Sequence, residues 1–215
     1  MLESYKENIS REIDFFGISI AKNTSVLIIG GGKAALIKAR SLTTKGINVT
    51  VIGEKIEAEL ECLRGVTIIK KKYYKDIITR YHIIIIAINN HELRREIIKH
   101  CNEAFKIYID CTDYKNGLAI MQSQGELKNI MYSVNTKVAV PKLSKLLLQR
   151  IKDVLLEYDD FVLCVSKIRN EAKNLDNESK KVIIDYICSE DFKFFFDKGK
   201  EKLIIKMFFD NEIYS

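Results

Sequence analysis

Three glycines, Gly30, Gly31 and Gly32, stand directly behind the apolar run Val26–Ile29 and ahead of KAALIKARSL. The spacing Gly30-x-Gly32-x-x-Ala35 is that of a turn built to hold a pyrophosphate. The first glycine makes the tight turn, the second lets backbone approach the phosphates, and the small third residue lets helix pack on strand. Backbone N–H groups from Gly30 to Ala35, with Gly31, Lys33 and Ala34 between, would meet the anion at the helix N-terminus. Glu54, 24 residues beyond Gly30 and just past the next apolar run, is placed to accept hydrogen bonds from an adenosine ribose. The set specifies NAD as cofactor, with Lys55 beside Glu54 tempering the preference over NADP.

Such a turn needs a strand before it and a helix after it. Residues 25–29 form a continuous apolar run of strand length, and residues 33–45 read as helix, with Ala35, Ala39 and Leu42 on one small-residue face. Gly46 closes that helix. Further strands are expected at 48–52, 66–69, 82–88 and 106–111, and further helices at 55–63 and 91–101. Strands alternating with helical segments mean βαβ units and a parallel sheet. Two strand-like runs, 118–124 and 129–135, then flank GELK as a hairpin. From Pro141 onward the chain reads as helices at 142–158, 161–175 and 178–188, with an aromatic tail FKFFF. Residues 1–14 read as a polar helix, followed by the short apolar stretch FFGISI. The fold class is α/β: a Rossmann-like parallel-sheet domain over 1–113, a small β-hairpin region over 114–140 and a helical domain over 141–215.

Composition narrows the function classes. The 215 residues are 47% hydrophobic and carry a net charge of +6, but lysines and glutamates are interspersed. No basic stripe carries interleaved aromatics, so no nucleic-acid partner is expected. An anionic small molecule suits the positive balance. The longest apolar run, IIIIAI, is too short to span a bilayer, so no membrane partner is expected. Five cysteines without close spacing, and no leader-like apolar start, read as reduced thiols in a cytoplasmic protein. His82, His91 and His100 recur every nine residues without forming a compact ligand set, and no metal site is expected.

With these residues in view, the chain resembles the siroheme synthase N-terminal family, the precorrin-2 dehydrogenase and sirohydrochlorin ferrochelatase proteins. The resemblance runs from FFGISI through VLIIGGGKAALIKARSLTTKGINVTVI, KKYYKDII, IIIIAINNHELRREI and YIDCTD to PKLSKLLLQRIK. It implies NAD-dependent dehydrogenation of precorrin-2 to sirohydrochlorin, a tetrapyrrole substrate, and in some members insertion of iron or cobalt. It also implies a catalytic aspartate at Asp113, where a carboxylate at the carboxyl end of a parallel strand can take a proton as hydride leaves. Asp110 falls where many members carry asparagine. Ala87, Ile88 and Asn89 fall at the nicotinamide-ribose side. Lys115, Lys137 and Lys142 are candidates for binding substrate carboxylates. In the family the hairpin region pairs between two chains, which implies a homodimer; unpaired hairpin edges point the same way.

The chain departs from the family in two segments. Ile88-Asn89-Asn90 replaces a Thr-Asp-Asp, and Asn135-Thr136-Lys137-Val138 replaces a Ser-Gly-Gly segment. Those losses favour a second reading, a non-catalytic dinucleotide-binding protein on the same scaffold, acting as a redox sensor or assembly partner. A third, another small Rossmann oxidoreductase, explains the turn but not the ordered matches downstream.

Overall fold

The computed structural model describes residues 18–137 and 140–209, and by compactness the chain divides after Met121. The N-terminal helix expected over 1–14, and the first part of FFGISI, lie outside the described residues; Ile18–Ile20 forms neither strand nor helix.

The first unit is a five-stranded, all-parallel sheet: β1 (Val26–Ile29), β2 (Val49–Ile52), β3 (Val66–Ile69), β4 (Ile83–Ile86) and β5 (Ile107–Asp110), in the order β3-β2-β1-β4-β5. Strands β1 and β4 are apolar throughout because both faces of the sheet are covered. Side chains alternate between the faces. Val26 and Ile28 pack with Ala35, Leu36, Ala39 and Leu42 of α1 (Lys33–Thr43) and with Leu60 of the one-turn α2 (Ala58–Glu61). Leu27 and Ile29 pack on the other face with Ile97 and Cys101 of α3 (His91–Glu103) and with Ile77 and Ile78 of a 3₁₀ segment, Lys75–Arg80. The strand order reverses between β1 and β4, and the carboxyl ends of those strands are where such sheets bind ligands.

One expectation is corrected here. The helix expected over 55–63 shrinks to α2, because the backbone from Lys55 to Glu57 is engaged by the glycine turn. KKYYKDII contributes the 3₁₀ segment, an element that its apolar spacing does not announce.

In the second unit, β6 (Ser123–Glu126) and β7 (Met131–Val134) pair antiparallel around a turn closed by Leu127 N–H to Ile130 O, 2.8 Å. The hairpin is therefore shorter than expected and its turn lies two residues later. Gly125 sets this register: it faces Tyr132, whose ring occupies the space a Cβ would need. Leu118 and Ala119 instead donate their N–H groups to Tyr108 O in the first unit. Helices α4 (Pro141–Leu155), α5 (Asp159–Glu171), α6 (Asn177–Ile187), α7 (Glu190–Asp197) and α8 (Glu201–Phe209) follow. Pro141 occupies the first turn of α4, and FKFFF lies inside α7 rather than in a loose tail. Phe161, Ile168, Ile183, Ile187, Phe192 and Ile205 form this unit's own core. Among the described residues no helix is long and apolar enough to cross a membrane.

The cysteines divide by burial. Cys62 and Cys188 are exposed, whereas Cys101 is sealed on the inner face of α3, where burial pushes its thiol from an ordinary value of 9.0 up to about 12. A thiol reagent at pH 8 is expected to modify Cys62 and Cys188 in the folded protein and Cys101 only on unfolding. The folded Cys101 keeps its proton to higher pH than the unfolded one. Its contribution to stability is whole below pH 9 and is lost as pH rises toward 12; mass spectrometry of labelled peptides and melts against pH check both.

Candidate functional site

The glycine turn closes the carboxyl edge of the sheet. Gly30 has φ +116°, and a Cβ there would sit 2.2 Å from Ala87 O, so only glycine lets the β1 and β4 ends meet. Gly31 is equally confined: its Cβ would fall 2.2 Å from Lys55 O, and its carbonyl accepts the Glu57 N–H at 2.8 Å. Gly32 differs, because nothing lies within 4 Å of where its Cβ would be. It caps α1 without a side-chain hydrogen bond, and no acidic residue occupies the first turn. The positive end of α1 therefore faces open space lined by backbone. A pyrophosphate fits that cradle, and buried Ala35 lets the helix start close to the strand.

The neighbouring candidates fall along the same edge. Glu54 lies two residues beyond β2 and is largely exposed, with Lys72 Nζ 3.9 Å away. Such an exposed pair is weak and leaves the carboxylate open to another partner. Ala87 and Ile88 flank Gly30, and Asn89 follows them. Asn90 caps α3, its side-chain oxygen accepting the Leu93 N–H at 3.0 Å.

Asp110 and Asp113 have separate roles. Asp110 ends β5 fully buried; its Oδ1 accepts the N–H groups of Thr112 (2.9 Å) and Asp113 (3.0 Å). Its Oδ2 faces Nε of the buried Arg94 at 3.4 Å, a charge contact in which neither atom makes a hydrogen bond. Thr112 Oγ1 then donates to Ile88 O at 3.0 Å, tying the β5 loop to the β4 loop. Half-buried Asp113 caps a short 3₁₀ turn, Tyr114–Asn116, accepting from Lys115 N–H (3.2 Å) and Asn116 Nδ2 (2.9 Å).

Glu54, the glycine turn, Ala87–Asn89 and Asp113 thus follow β2, β1, β4 and β5 along one edge of the sheet. Lys115 lies in the Asp113 turn, whereas Lys137 and Lys142 belong to the second unit, Lys142 in the first turn of α4. Asp110 is the residue whose weight sequence reasoning misses. A carboxylate closing an apolar strand, with an arginine at an inward position of the preceding helix, is the signal for it. His82 Nδ1 accepts the Ser25 N–H at 3.0 Å, and His100 stacks on Tyr73, so both hold structure.

Residues 19–122 match a family model described as putative NAD(P)-binding. A siroheme synthase of Tolumonas auensis is 30% identical over 135 residues, 62% of this chain and 29% of that protein. Over this stretch the chain is similar to siroheme synthases and precorrin-2 dehydrogenases. A precorrin-2 dehydrogenase of Bacillus subtilis is 27% identical over 154 residues, covering 70% of this chain and 93% of its own length. The solved structure of SirC, a precorrin-2 dehydrogenase, superposes with TM-score 0.66 at 16% identity over 90% of this chain and all of that one, which bears out the fold. The chain spans about a third or less of the siroheme synthases it matches, 29% and 32% of the first two. The family description agrees with the cofactor class expected from the turn.

The three glycines should respond differently to the same change. Gly32→Val adds its side chain in open space at a φ of −90°, so thermal unfolding stays at the wild-type temperature while NAD binding is lost. Gly30→Val must push a Cβ into a carbonyl at positive φ and is expected to cost about 3 kcal/mol of stability. Thermal melts alongside calorimetric titration with NAD separate the two outcomes.

Proposed function

We propose that this protein catalyses NAD-dependent dehydrogenation of precorrin-2 to sirohydrochlorin. The observation that carries the reading is Asp113, a braced carboxylate on the same sheet edge as a glycine turn open to a pyrophosphate. The NAD(P)-binding family model and the similarity to the Bacillus subtilis relative support it. NAD supplies the acceptor for a hydride. In this reading the N–H groups from Gly30 to Ala35 hold the pyrophosphate, and Glu54 accepts from the adenosine ribose while repelling a 2′-phosphate. Backbone at Ala87–Asn89 lines the nicotinamide-ribose side. Asp113 would take the proton that precorrin-2 loses as its hydride leaves, and would pass that proton to solvent. Lys115, in the Asp113 turn, binds substrate carboxylates. Where iron insertion also occurs, the same carboxylate accepts the pyrrole N–H protons. Five cysteines without a disulfide suit a cytoplasmic enzyme.

Anaerobic incubation with enzymatically made precorrin-2 and NAD, followed by sirohydrochlorin absorbance, tests the activity. Asp113→Asn preserves shape and removes basicity, so turnover is expected to fall by about a hundredfold or more with NAD affinity unchanged. Wild-type protein that binds NAD but forms no sirohydrochlorin would leave the non-catalytic reading in place.

We also propose that the protein works as a homodimer. Leu143, Leu147, Ile151 and Val154 recur at helical spacing on α4 and are exposed with Leu146, while Ser144 at the edge of this stripe is buried. Water is a poor neighbour for so continuous an apolar stripe. Light scattering is expected to return twice 24.8 kDa, and a Leu147→Glu, Val154→Glu double variant to return one chain.

A further inference from the structure

Helix α3 carries a second concentration of charge that the cofactor does not use. His91, Arg95 and Lys99 recur at intervals of four, which places them in one row along the helix. Like charges at that spacing repel and weaken a helix. Acidic relief is slight: Lys99 reaches Glu103 only at 4.0 Å, and Glu103 is held at 2.7 Å by Lys75 instead. The row borders an open cleft of about 600 Å³ between α3 and the segment after β5, within the usual range for small-molecule sites. None of the residues lining that cleft is acidic.

Two features give the cleft a direction. Arg94 lines it while almost wholly buried, and its Nε lacks a hydrogen-bond acceptor even though Asp110 stands 3.4 Å away. With Nε turned toward Asp110, what Arg94 offers the cleft is the positive charge of a guanidinium, which suits a carboxylate. The opposite wall includes Asn116, whose Nδ2 donates to Asp113 Oδ2. One wall of the cleft is therefore one hydrogen bond from the carboxylate proposed to take the proton.

We propose that this cleft binds the peripheral carboxylates of a polyanionic ring substrate, with Arg95 and Lys99 as the charged pair, His91 beside them in the row and Arg94 as the deep anchor. The assignment of a tetrapyrrole to the cleft rests on the dehydrogenase reading; its preference for polycarboxylates rests on the row and the anchor alone. Carboxylates held along α3 would present the ring toward Asp113 and away from the adenosine end of the cofactor. The charged row also draws the anion in before contact, an effect that salt weakens.

The test uses the full chain and a porphyrin octacarboxylate as fluorescent probe, with a porphyrin tetracarboxylate for comparison. Wild type is expected to bind the octacarboxylate more tightly than the tetracarboxylate, with affinity falling as salt rises. Arg95→Glu, Lys99→Glu changes two exposed side chains and should leave the melting temperature and NAD affinity in place. Octacarboxylate Kd is expected to rise at least tenfold and its salt dependence to flatten; Arg95→Gln, Lys99→Gln should give a smaller shift of the same sign. Lys167→Glu, Lys173→Glu in the second unit makes the same change in net charge and should leave Kd alone. With precorrin-2, the α3 variant should raise KM and spare kcat. Octacarboxylate binding within twofold of wild type in the α3 variant, or an equal loss in the control, overturns the cleft while leaving the dehydrogenase reading intact. Absence of wild-type turnover with probe binding still lost on charge reversal overturns the dehydrogenase reading and keeps the cleft.

Discussion

The carboxyl edge of the sheet is organised by two backbone contacts that tolerate no side chain. At Gly30 the β1 end touches the Ala87 carbonyl, and at Gly31 it touches the Lys55 carbonyl. Those approaches draw the loops after β2 and β4 against the loop after β1, so three chain segments close around one point. Dispersion and backbone hydrogen bonding, including Gly30 N–H to Ile52 O at 2.8 Å, then hold them there. The free side of Gly32 exists because its two neighbours take up the packing. One short sequence thus serves two opposite demands, close contact beneath and vacancy above.

A second layer of order reaches the edge from β5. Asp110 is spent on backbone, and through Thr112 and Asp113 it shapes the loop that carries the exposed chemistry. The division of labour is physical: the buried carboxylate is met by N–H donors and a cation, whereas the half-buried one keeps access to solvent. Neither residue could trade places with the other.

Much of this is legible in the sequence. Unbroken apolar runs at Val26–Ile29 and Ile83–Ile86 can only be strands covered on both faces, and the glycine spacing marks the turn between strand and helix. The hairpin's existence is legible but its register is not, because it depends on Tyr132 finding the gap left by Gly125 across the pair. Helix α2 is shorter than its local pattern suggests because its leading residues answer to the glycine turn, a contact with no local trace. The roles of Asp110 and Arg94 are hidden for a similar reason: a pair made between a strand and the helix before it becomes visible only once the βαβ unit is closed. The histidine–arginine–lysine row on α3 is in plain view as a spacing, but the wall that Asn116 contributes is not.

The Arg94–Asp110 contact also constrains how this chain can change over generations. Both groups are buried, and removing either leaves an uncompensated charge inside the sheet edge, a loss of about 3–5 kcal/mol. That is a large part of what a domain of this size has in reserve. A lineage holding neutral amides at these two places and a lineage holding this ion pair are therefore separated by a valley in fitness. Crossing it takes two nearly simultaneous substitutions or a stabilising change made beforehand, so the pair behaves as a single inherited character.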